Sequence, residues 1–108
     1  MERKFDITMH APLGLRHGTM IFTEKNNNIS GTLELLAGKN NFTGTITENG
    51  TIEFSGKIAS KLHSFTYIAK GRIIQSKLEI DVTGNRYSFC ITGEEIKPKE
   101  EEDMNELY

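Results

Sequence analysis

The sequence predicts an all-β fold, an eight-stranded antiparallel up-and-down (meander) barrel over residues 1–95 with a short acidic C-terminal tail at 96–108. Three observations predict it. Apolar and polar residues alternate with period two in segment after segment, as strands with one buried face require. A Gly-polar-apolar triplet recurs at Gly18-Thr19-Met20, Gly31-Thr32-Leu33, Gly44-Thr45-Ile46, Gly56-Lys57-Ile58 and Gly71-Arg72-Ile73, at intervals of 13, 13, 12 and 15 residues. One strand plus one turn fills that interval, whereas solenoid repeats are longer. A sustained helical period appears nowhere, so no amphipathic helix is at hand to cover an open sheet.

Each strand follows from its own stripe of apolar residues. Phe5, Ile7 and Met9 alternate with Asp6, Thr8 and His10, and Gly18, Met20 and Phe22 with Thr19, Ile21 and Thr23. The third and fourth stripes are Ile29, Gly31, Leu33, Leu35 and Phe42, Gly44, Ile46. Ile52, Phe54, Gly56 and Ile58 make the fifth, and Phe65, Tyr67, Ala69, Gly71 and Ile73 the sixth. Leu78, Ile80 and Val82, then Tyr87, Phe89, Ile91 and Gly93, complete the set.

"KNNN", "AGKN", "ENG" and "TGN" between stripes carry the Asn and Gly that tight hairpins favour. Short connections pair sequential strands antiparallel. The two longer ones, 11–16 and 59–64, are expected to cap or cross a barrel end. A meander with one apolar face hides that face, and loses its two unpaired edges, by closing on itself. Inward glycines then remove a Cβ where sharp coiling would crowd it, or alternatively leave space for a ligand.

With 108 residues and 36% hydrophobic content the chain suits one domain with a single core. Its one cysteine, Cys90, excludes an intrachain disulfide and fits a reducing compartment. "MERKFDITMH" runs straight into alternation, with no apolar run for a signal peptide or membrane span, so a cytoplasmic location without membrane partners is expected. The Asn-x-Ser/Thr triplets at Asn28, Asn41 and Asn49 fall where turn and strand chemistry already calls for Asn and Thr. Residues 1–93 hold 11 Lys/Arg and 8 Asp/Glu, while 94–108 hold 2 Lys and 7 Asp/Glu, so a mildly basic body carries an acidic tail. That tail reads as solvated, with a short docking helix from about Pro98 as the alternative.

Catalytic chemistry has little to stand on. Cys90 alternates outward between Ser88 and Thr92, with nothing beside it in sequence to lower its pKa. His10 and His17 flank the 11–16 segment and His63 lies in the other, so gathering at one end is the only route to an enzyme or a metal; no catalytic residue and no metal ligand is assigned. No carboxylate and no Arg or Lys stands on the inward stripes as drawn, which removes a glycosidase pair and an anion anchor. Outward Lys57, Lys70, Arg72, Lys77 and Arg86 lack interleaved aromatics, so no nucleic-acid partner is expected, and no cofactor motif is present.

An eight-stranded barrel is either just filled or able to hold one small molecule. The candidate site is therefore the interior itself, at Phe22, Leu33, Phe42, Ile46, Phe54, Phe65, Tyr67, Tyr87 and Phe89. Tyr67 and Tyr87 bring the inward hydroxyls, either reaching a barrel end or orienting an apolar ligand.

"APLGLRHGTMIFTEKNNNISGTLEL", "NFTGTITENGTIEFSGKI" and "VTGNRYSFCITGEE" resemble the small calycin-like, or lipocalin-like, barrel modules of uncharacterised bacterial proteins. The likeness covers roughly residues 5–95 and rests on a Pro-Met-Gly-type loop leading into Gly-Thr-apolar strands, here Pro12-Leu13-Gly14. It implies an eight-stranded meander barrel, alone or appended to larger enzymes such as flavin-dependent oxidoreductases, with no established activity. The Gly-x-Trp of true lipocalins and the inward Arg-x-Tyr of fatty-acid-binding proteins are absent, so no functional residue carries over. The expectation is a non-enzymatic module binding a small apolar molecule, or alternatively a structural module that forms a homodimer or docks on a partner protein.

Overall fold

The computed structural model describes residues 2–12, 14–35, 38–59, 64–84 and 88–96. Eight strands follow one another: β1 (Glu2–Ala11), β2 (Gly14–Lys25), β3 (Asn28–Leu35), β4 (Gly38–Ile46), β5 (Thr51–Ala59), β6 (Ser64–Ile74), β7 (Lys77–Gly84) and β8 (Ser88–Glu95). Each pairs antiparallel with the next, and β8 returns to β1 through Phe5↔Glu95 to His10↔Cys90, closing the barrel in meander order. This is an eight-stranded antiparallel meander barrel, an architecture consistent with that of calycin-like barrels, and the described residues contain no helix.

The inward stripes hold on every strand. Phe5, Met20, Phe22, Leu33, Ile52, Ile58 and Ile91 have no measurable exposure, while the Thr, Ser and charged residues between such positions face solvent. Alternation sets the inward face, and closure removes it from water from all sides.

The end of the barrel where β1 begins, here the lower end, is knit together by its turns. Asn26 and Asn27 form the two-residue β2–β3 connection with φ of 53° and 68°, the left-handed values that this hairpin type requires and Asn tolerates. In the β4–β5 turn Gly50 has φ 89°, and the Asn49 carboxamide oxygen accepts from the hydroxyls of Thr47 and Thr51 and from the Thr51 N–H. The triplet at Asn49 is thus turn chemistry. Each lower turn also bonds the next strand round the circle: Ile46 N–H donates to Asn27 O, Ile73 N–H to Gly50 O and Glu95 N–H to Ser76 O, at 2.9, 2.8 and 2.8 Å. Ile96 N–H donates to Lys4 O at 2.8 Å and completes the ring.

One expected connection is corrected. β1 and β2 pair as far as Ala11↔Gly14, so the 11–16 segment is no capping loop but the tip of a long hairpin around Pro12. Strand pairing of outward residues continues past His10↔Leu15 because the period-two pattern does not need apolar side chains to persist. The 60–63 part of the other long connection, Arg86, Tyr87 and the tail from 97 lie outside the described residues.

The inward glycines are close approaches of neighbouring backbone. A Cβ on Gly31 would stand 1.9 Å from the Ile21 carbonyl oxygen and 2.6 Å from Phe22 Cα; one on Gly44 would stand 2.0 Å from Glu53 O and 2.5 Å from Phe54 Cα. The strands coil so tightly there that the neighbouring chain occupies the Cβ position.

Candidate functional site

Register lines up one row of inward positions across seven consecutive strands: Arg3, Phe22, Gly31, Phe42, Gly56, Tyr67 and Gly84. Beyond Arg3, large rings and glycines alternate along it. At Gly31 and Gly56 the atom nearest to where a Cβ would stand is a backbone oxygen of the neighbouring strand, Ile21 O at 1.9 Å and Asn41 O at 2.6 Å, and at Gly56 the Tyr67 hydroxyl follows at 3.0 Å. The row has a polar group near each end, and their surroundings differ.

Arg3 closes the lower end. Its guanidinium lies over the Phe5 and Phe22 rings, 5.4 and 6.0 Å from their centroids, and these two rings stack at 5.9 Å. Arg3 Nε and Nη2 donate to Glu95 Oε2 and Oε1 at 2.9 and 2.8 Å, a bidentate pair across the β1–β8 seam. The hydrogen bond to Glu95 raises the arginine pKa, burial opposes it, and the charges of Glu95 and Glu24 add to the rise. Arg3, Glu24 and Glu95 continue the inward period of β1, β2 and β8, so the expectation of inward stripes without charge is corrected at this end. Apolar alternation hides them because the stripes end in charge where the barrel meets solvent.

Tyr67 occupies the other pole. Its ring meets Phe54 edge-on at 6.0 Å, and Phe54 in turn lies 4.5 Å from Phe42. The hydroxyl reaches across Gly56, 3.0 Å from where a Cβ would stand, to the place where the β4–β5 ladder ends at Phe42↔Gly56. Tyr67 Oη is buried with no hydrogen-bond partner among the described residues. Desolvation raises the phenol pKa well above its ordinary 10.0, so the group stays a protonated donor. On β4, two residues before Phe42, Asn40 is the one buried residue of the polar classes among the described residues, with Nδ2 donating to the Leu33 and Gly38 carbonyls at 3.2 and 3.1 Å.

The nine candidate interior residues therefore do not form one cluster. Phe42, Phe54 and Tyr67 come together, and Phe65 and Phe89, half-buried, pack on the core. Phe22 belongs to the Arg3 pole, and Ile46 pairs with Ile52 at the lower end. Leu33 is buried on β3 beside Met20 and Asn40 in register, and Tyr87 lies outside the described residues. Asn40, Arg3 and Glu95 are additions that period-two counting through polar residues would have found.

The outward face offers less. His10 and His17 lie within β1 and β2, where His10 Nε2 and Thr92 Oγ1 are 2.9 Å apart and His17 Nδ1 and Thr8 Oγ1 are 3.1 Å apart, while His63 lies outside the described residues. Among the described residues no three His, Cys, Asp or Glu side chains are placed to hold a metal. Cys90 Sγ donates to Asp81 at 3.3 Å, and that bond raises the thiol pKa, the opposite of nucleophile activation. An open groove crosses the wall of β4–β7 where the β4–β5 ladder ends, lined by Phe42, Gly56, Tyr67 and Gly84 together with exposed Lys57 and Ile68. No protein-family model matches the chain, and no curated protein matches it.

Proposed function

We propose that this barrel is a non-enzymatic binding module for a small apolar molecule carrying one hydrogen-bonding group, taken into the interior against Phe42, Phe54 and Phe65 with its polar group on Tyr67 Oη. The observation that carries the reading is the buried, unpartnered hydroxyl. A hydroxyl left in this state costs about 1–3 kcal/mol, which a bound acceptor returns, so the site holds binding energy in reserve. Three aromatic rings supply the apolar surround that small-molecule sites use, with a single polar group to fix orientation. Phe65 and Phe89, half-buried, pack against the core and leave part of their rings accessible.

Native mass spectrometry of protein purified without detergent tests this. The reading expects a mass excess that disappears on denaturation in organic solvent and is reduced in Tyr67→Phe; a clean apo monomer contradicts it. A clean apo dimer would favour the second reading, an interaction module, for which Ile68, 54% exposed in the β4–β7 groove, is the supporting observation.

A further inference from the structure

Resting on that reading, we infer that the ligand is an amphipathic carboxylic acid bound as its anion, lodged where the β4–β5 ladder ends, with its carboxylate between Tyr67 Oη and the Lys57 ammonium. Three observations meet at this place. β4 runs back to Gly38 and β5 on to Ala59, yet the two pair only as far as Phe42↔Gly56, and an open groove lies at that point. Gly56, without a side chain, stands between the two polar groups: the Tyr67 hydroxyl is 3.0 Å from where its Cβ would be, and Lys57 is the next residue along β5. Buried Tyr67 and exposed Lys57 line the same groove, one from the interior side and one from the solvent side.

Lys57 also differs from the outward lysines of β6 and β7. Lys70 and Lys77 lie 3.8 and 3.2 Å from Glu53 and Glu94, whereas Lys57 forms no ion pair among the described residues. The connections 60–63 and 85–87 contain Lys61, His63 and Arg86 and no Asp or Glu, so they supply no carboxylate of the chain's own to compete for it. A carboxylate offers two oxygens and about four acceptor positions. One oxygen takes the phenol proton, which burial keeps in place at neutral pH, and the other faces the ammonium. Water in the open groove hydrates the remaining positions, so the anion escapes the cost of a charge sealed in a core. A hydrogen bond to an ionised acceptor is about twice as strong as a neutral one, and one cation with one neutral donor matches a monoanion. The apolar body then lies inward against Phe42 and Phe54.

1-Naphthylacetate and its neutral counterpart, methyl 1-naphthylacetate, test this with the full chain at pH 7, followed by probe fluorescence. Lys57→Gln, which removes the charge from an exposed position, should weaken the acid by about two- to fivefold and leave the ester unchanged. Salt at about 0.5 M should weaken the acid in wild type and not in Lys57→Gln. Tyr67→Phe should weaken both probes, the acid by about tenfold or more because its hydrogen bond is charge-assisted, the ester by less. Ester binding that depends on Tyr67, with no binding of the acid, would overturn the inference and leave the binding module standing. So would acid binding that is indifferent to Lys57→Gln and to salt, or to Tyr67→Phe. Failure of both probes to bind would remove the functional reading together with the inference.

Discussion

Arg3 and Tyr67 stand near the two ends of one cross-strand row, each laid against aromatic rings, and they are satisfied to opposite degrees. The guanidinium has a bidentate carboxylate and two ring faces; the phenol has rings alone. At the lower end the turns also bond the next strand round the circle, and these bonds serve closure of the barrel. At the Tyr67 pole the β4–β5 ladder stops at Phe42↔Gly56 although both strands run on. The difference teaches where this fold is locked and where it keeps interaction energy unspent.

The strongest way to break the comparison is to remove the row that joins the two poles. Gly31→Ala puts a methyl group 1.9 Å from a backbone carbonyl that cannot yield, and is expected to destabilise the barrel by about 3 kcal/mol or more in urea denaturation. Next comes the lock itself. Glu95→Ala strands a partly buried guanidinium and should cost about 2 kcal/mol, discounted from a fully buried pair because the side chains are 22% and 25% exposed.

The Tyr67 pole should respond with the opposite sign. Tyr67→Phe in the ligand-free protein removes an unpartnered hydroxyl and is expected to leave stability unchanged or raise it by up to about 1 kcal/mol. The same residue gives a pH signature. Its folded pKa is raised, so the folded state holds the proton longer; stability is complete below the unfolded value of 10.0 and falls as pH rises beyond it. Wild type should lose about 1.4 kcal/mol per pH unit above that point relative to Tyr67→Phe, read from denaturation curves at matched pH. The smallest effect is the control: Gly38→Ala meets nothing within 4 Å and should change stability by less than about 0.5 kcal/mol.

Much of the fold was legible in the sequence because the period-two signal is purely local. Phe5-Asp6-Ile7-Thr8-Met9 declares a strand and its inward face without reference to any neighbour. The same counting, carried two residues further, passes through Arg3, Glu24, Asn40 and Glu95, which a search for apolar stripes leaves out. The hairpin tip at Pro12 was misjudged for a related reason: outward residues such as His10 and Leu15 pair through backbone, and backbone pairing leaves no mark on side-chain polarity. The site was legible only as a set of inward aromatics. Its division into two poles, and the solitude of the Tyr67 hydroxyl, depend on which residue lies across from which, and Gly56 facing Tyr67 is a fact of register.

The central claim is that the polar pole that binds is Tyr67 and not Arg3. Solution NMR of protein with labelled tyrosine and arginine side chains, titrated with methyl 1-naphthylacetate, reads both poles at once. The account predicts that the Tyr67 Cζ resonance moves with probe concentration while the Arg3 guanidinium signals stay in place. Movement at Arg3 with Tyr67 unchanged would contradict it.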